Sequence, residues 1–165
     1  MFATRQDLLT RCNARRLAQL AVPADMAMVA LDVVRTALTG GSIAAEPADV
    51  QTAVAAALTT IDQALADAHE LIVSYGVPTT AVSTLLTRMC CTVALYYLQG
   101  IERLEKTDAL AYDGVLKLLE QHKRGLVDLT PSTDTATTTE VADTVVMSSS
   151  PGRFGSTVLS GEEAL

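Results

Sequence analysis

Between Pro47 and Tyr75 the sequence runs for almost thirty residues without an interior glycine or proline, and its apolar residues recur at helical spacing. At ~1.5 Å per residue such a helix is a rod of roughly 40 Å. Advancing ~100° per residue from Asp49 puts Val50, Val54, Leu58, Ile61, Leu65 and Ile72 in one stripe between roughly 100° and 180°. Glu46, Asp49, Asp67 and Glu70 gather within about 60° of zero. This segment therefore has one face to bury and a separate acidic face, and the rest of the chain must cover the first.

Helical patterns supply that cover. Thr4 followed by Asp7 has the form of a capping box, and a first helix is expected from Arg5 to Leu20 with a bend near Asn13. Pro23 suits the first helical position of a second, Ala24 to Leu38, which Gly40 and Gly41 stop. Gly76 and Pro78 end the long helix. Thr79 or Thr80 caps the next, Val82 to Leu98, in which Leu85, Leu86, Met89, Cys90, Cys91, Val93 and Leu95 leave little polar surface and predict burial nearly all round. A last helix from Asp108 to Arg124 turns Leu110, Val115, Leu118, Leu119 and His122 inward and stops at Gly125. Aromatic residues are 4% of the chain and tryptophan is missing, so the core must come from aliphatic side chains between helices. The expected fold class is all-α: a small helical bundle with long central helices over residues 1–129, followed by an extended C-terminal arm over residues 130–165.

The arm is set apart by composition. From Thr130 to Ser160, 14 of 31 residues are Ser or Thr, with apolar islands at Val145, Val146 and Met147, at Phe154, and at Val158 and Leu159. Polar low-complexity sequence of this kind reads either as a solvated tail or as an arm whose islands anchor it on another chain.

Charge and motif arguments remove several functions. Residues 1–40 carry five Arg against three Asp, residues 41–76 five carboxylates and no Lys or Arg, residues 77–130 six of each sign, and residues 131–165 one Arg against five acids. No basic patch is large enough to grip a phosphate backbone. Cys12, Cys90 and Cys91 make neither a disulfide framework nor a zinc motif and read as reduced core residues of a cytosolic protein. No signal or membrane-spanning segment is visible in the sequence. The only bases, His69 and His122, fall on separate helices, so no nucleophilic site is indicated; His69 beside Asp67 and Glu70 lacks a second metal ligand at i+4. Gly152-Arg153-Phe154-Gly155 has GxxG spacing without a following helix, and Gly40-Gly41-Ser42 lacks the Lys of a phosphate loop. No catalytic residue, metal or cofactor is expected. Arg88 reads as a snorkelling or ion-paired residue ahead of an intersubunit contact, and Tyr96 and Tyr97 as core and rim.

Taken in order, the elements resemble the Mu-like phage family of small head-tail connector proteins. Phe2-Ala3-Thr4 with Asp7-Leu8 is similar to that family's opening, and Ala66-Asp67-Ala68 with Ile72, Ser74 and Tyr75 to its long helix. Val77-Pro78 stands at its bend, Arg88, Cys91, Ala94, Tyr97 and Leu98 on its central helix, and Tyr112-Asp113, Leu116, Leu119, Gly125 and Leu129 on its last. Two departures are a longer segment from Val22 to Glu46 and a bend without the usual Leu-x-x-Arg-Tyr.

The resemblance implies a structural, non-enzymatic protein of the virion neck, present in the host cytoplasm during assembly. Copies would form a ring, twelvefold in such families, between the portal protein and a neck stopper or tail terminator, and DNA would pass without sequence-specific binding. On this reading Val145, Val146, Met147, Arg153, Phe154, Val158 and Leu159 bind the portal or a neighbouring subunit, and Asp49, Asp67 and Glu70 form a channel-facing acidic stripe that lets DNA slide. A different reading is a cytosolic helical adaptor or regulator, dimeric, that uses its tail as a peptide ligand.

Overall fold

The computed structural model describes residues 1–100 and 106–130. Among them are six α-helices and no strand, so the chain is all-α. The helices are α1 Arg5–Arg11, α2 Ala14–Ala21, α3 Leu31–Leu38, α4 Ala48–Ser74, α5 Thr84–Gln99 and α6 Lys106–Lys123. α4 packs along α5, α5 along α6, and α1 and α2 also reach α5, which therefore holds the centre. Leu8, Leu17, Ile61, Leu65, Ile72, Leu86 and Leu119 are fully buried where these helices meet. Each such side chain removed from water contributes about 1.5–3 kcal/mol before entropic costs.

α4 starts after Pro47, as the sequence predicts, and buries Val54, Ile61, Leu65 and Ile72. Its buried arc is wider and turned toward the small residues: Ala53, Ala57, Ala64 and Ala68 are also buried, while Val50 and Leu58 are half-buried. The reason is interhelical distance, since a row of alanines lets α5 approach α4 closely. Cys90 Sγ there reaches the Leu65 carbonyl at 3.8 Å.

Local signals explain most helix ends. Thr4 Oγ1 accepts from the Asp7 N–H at 3.2 Å while Asp7 Oδ2 accepts from the Thr4 N–H at 2.8 Å, a reciprocal capping box. The expected bend near Asn13 is a full break. Cys12 is extended, and Asn13 Oδ1 accepts from the Arg16 N–H at 2.8 Å to start α2 afresh. After α3, Gly40 takes φ +80° and the Gly41 N–H donates to the Thr36 carbonyl at 2.8 Å, closing the helix in the left-handed turn that glycine alone adopts without strain.

Four expectations are corrected. Residues 24–30 are not helical; a turn from Pro23 to Met26 is followed by extended chain to α3. On one continuous helix Val29 and Val34 would lie about 140° apart, and the break at Ala30 lets both reach the core. The cap of α5 is Ser83, whose Oγ accepts from the Leu85 N–H at 3.2 Å, because Pro78 to Ala81 closes a turn of its own. α5 is not covered all round, since Leu85, Arg88 and Tyr97 are exposed. Leu110 points outward at 70% exposure, while Val115 and Leu119 form the buried edge of α6.

Candidate assembly surfaces

Three acidic residues of α4 are exposed: Asp49, Asp67 and Glu70 share its outer face. They do not form one cluster. Asp49 and Asp67 are five helical turns apart, about 27 Å along the axis. Between them the face carries Thr52, Thr59 and Gln63, and Gln63 Nε2 donates to Asp67 Oδ1 at 2.7 Å. Asp67 also borders a cleft of about 430 Å³ lined by Thr59, Thr60, Gln63, Ala64, Tyr97 and Leu98. A second cleft of about 550 Å³ shares Thr60, Tyr97 and Leu98 and extends to the turn at Pro23.

Tyr97 belongs to an aromatic cluster that sequence reasoning left as core and rim. Tyr96 stacks on Tyr112 with centroids 3.9 Å apart and planes 7° from parallel, and Tyr97 meets Tyr96 edge-on at 6.0 Å. Burial, with a hydroxyl contact to Tyr112, pushes the Tyr97 phenol up to about 12. The cluster ties α6 to α5 on one side of the buried edge of α6. On the other side runs a shallow groove of about 250 Å³, floored by Met89, Val115 and Leu118 and bordered by Leu85, Arg88 and Gly114.

Polar clamps also escaped the sequence reading. Arg5 and Asp62 form a two-pronged ion pair between α1 and α4, one prong being Nε to Oδ1 at 2.6 Å. Asp108 accepts from Arg16 Nη2 at 2.6 Å and from the buried Gln99 Nε2 at 2.5 Å, joining α2, α5 and α6. Partners 57 and 92 residues apart in sequence carry no periodic signature.

The nucleophilic and basic side chains serve structure. Burial pushes the Cys90 and Cys91 thiols up to about 12 and about 11, so both are protonated and inert at neutral pH. All three cysteines are free and buried, as their sequence context suggests. His69 lies against the Phe2 ring at 4.5 Å, its Nδ1 is buried without a hydrogen-bond partner among the described residues, and burial lowers its pKa. His122 Nδ1 sits 3.0 Å from the Val127 carbonyl oxygen and fastens the chain that leaves α6. Among the described residues no group of three or more His, Cys, Asp or Glu is placed to hold a metal ion, and no helix is long and apolar enough to cross a membrane. Arg88 is exposed and outside the ion pairs of the described residues, which removes the ion-paired half of its reading and leaves the snorkelling one. The arm residues Val145, Val146, Met147, Arg153, Phe154, Val158 and Leu159 lie outside the described residues.

Comparison with known proteins accounts for the order of these elements. Gene product J of Escherichia phage Mu is 37% identical over 98 residues, covering 56% of this chain and 69% of that protein. The family model described as Bacteriophage Mu, Gp36 matches residues 2–148, which takes in the whole bundle and the first apolar island beyond it. The chain is thus a Mu-like phage protein, a member of the Bacteriophage Mu Gp36 family.

Proposed function

We propose that this protein is a structural part of the phage neck, whose copies form a ring between portal and tail, extend the DNA channel and join head to tail. The observation that carries the reading is the unbroken family match from residue 2 to residue 148, since bundle and proximal arm belong to one shared unit. The bundle suits a ring segment. A 27-residue helix tied to α1 at Arg5–Asp62, in a bundle whose α2, α5 and α6 are joined by the Arg16–Asp108–Gln99 contacts, makes a stiff strut with a polar face available on its outer side. A heterologous contact repeated with closing rotation turns such units into a ring.

Within that ring Asp49, Asp67 and Glu70 face the channel, where carboxylates spaced along α4 repel the DNA phosphates and keep the passing duplex from sticking. The arm from Thr130 attaches the ring to the portal or a neighbour through its apolar islands, and repetition around the ring offsets the entropy of ordering each arm. Native mass measurement of the full chain, alone and mixed with the portal protein of the same phage, tests this. Expected is a closed multimer carried on the portal. A stable dimer that ignores the portal would overturn the reading in favour of a helical adaptor.

A further inference from the structure

We propose that the groove between α5 and α6 receives residues 143–147 of a second copy of this chain, with Val145 and Met147 on its apolar floor and Asp143 against Arg88. This rests on the reading of the arm as an attachment element and assigns its first contact.

The groove is open and apolar. Leu85 is 40% exposed at its border although it sits on the central helix, and Met89, Val115 and Leu118 lie beneath. Gly114 stands mid-helix in α6, where glycine is unfavourable, and a Cβ built there would meet nothing within 4 Å. Its missing side chain leaves room for another backbone to approach. Arg88 stands in the same groove, exposed, while the other charged pairs of the bundle leave it out.

The occupant is argued from charge, spacing and reach. Residues 131–165 hold five carboxylates against one Arg, and Asp143 stands two residues before Val145, the start of the first apolar island. In an extended segment residues i, i+2 and i+4 share a side, so Asp143, Val145 and Met147 present one charge and two aliphatic groups together. From Thr130 to Val145 the chain spans at most about 50 Å, longer than α4, which is enough to leave its own bundle for a neighbour's. The family match ends one residue after Met147, so this island belongs to the shared unit whereas Phe154, Val158 and Leu159 do not. Donor segment and acceptor groove are different surfaces, and each copy in a ring can give one and receive the other.

The test uses the full chain with its own island disabled by Val145→Ser and Met147→Ser, titrated with a fluorescent peptide of residues 139–150. Saturable binding in fluorescence anisotropy is expected, weakened roughly three- to tenfold by Arg88→Glu and recovered with an Asp143→Arg peptide. Gly114→Leu, which fills the groove, should abolish binding while circular dichroism shows the helices intact. No saturable binding, or binding indifferent to both Arg88→Glu and Gly114→Leu, overturns the assignment. Mild oxidation of a Gly114→Cys, Met147→Cys chain should give covalent multimers; closure within single chains would overturn the second copy as donor. Neither readout involves the portal, so either can fail while the neck reading stands, and the reverse.

Discussion

His69 shows how a single residue links burial to pH. Its imidazole is held against Phe2 and its pKa is lowered, so the fold keeps the neutral form. The unfolded chain takes up that proton as pH falls below about 6.5, the ordinary histidine value. The contribution to stability is therefore fully present above that pH and is lost as pH falls from there through the lowered folded value. In urea denaturation followed from about pH 8 to about pH 5, His69→Phe should flatten the slope in this window while keeping the ring contact. An unchanged slope would assign the loss to other groups. At this scale the sequence was readable only where partners are near: Thr4 and Asp7 announce their cap across three residues, whereas Phe2 and His69 meet only because α4 folds back beside the N-terminus.

Among the elements, α4 was the most legible, because a long unbroken period leaves one solution for its faces. What periodicity missed was the weight of its alanines, which a hydrophobic stripe ranks low but a close α4–α5 approach requires. The segment from Pro23 to Ala30 misled for the opposite reason: its residues tolerate helix, yet the chain breaks at Ala30, which lets Val29 pack against the core in which Val34 is buried. The groove beside α6 had no sequence signal except the mid-helix Gly114. Replacing it with alanine should stabilise the free protein by roughly 1 kcal/mol, since the Cβ meets open space, and the urea midpoint measures it. A destabilised variant would mean that the bundle itself needs glycine there.

For the whole molecule, the candidate surfaces were only partly legible. The exposed position of Asp49, Asp67 and Glu70 followed from the period of α4, while the clamps at Asp62 and Asp108 arise from chain topology. The described residues form a buried core of their own, and deleting residues 131–165 should leave its cooperative unfolding in place while portal attachment is lost. Circular dichroism and portal co-sedimentation check the two halves of that statement, and undiminished neck assembly by the truncated chain would sink the role given to the arm. The tyrosine stack has one more consequence. The chain has four tyrosines and no tryptophan, so its near-ultraviolet absorption and emission come from tyrosine, and Tyr96, Tyr97 and Tyr112 sit together across the α5–α6 seam. Light absorbed by this protein reports chiefly on that seam, beside which the groove runs, and docking there can be followed optically without attaching a dye to the bundle.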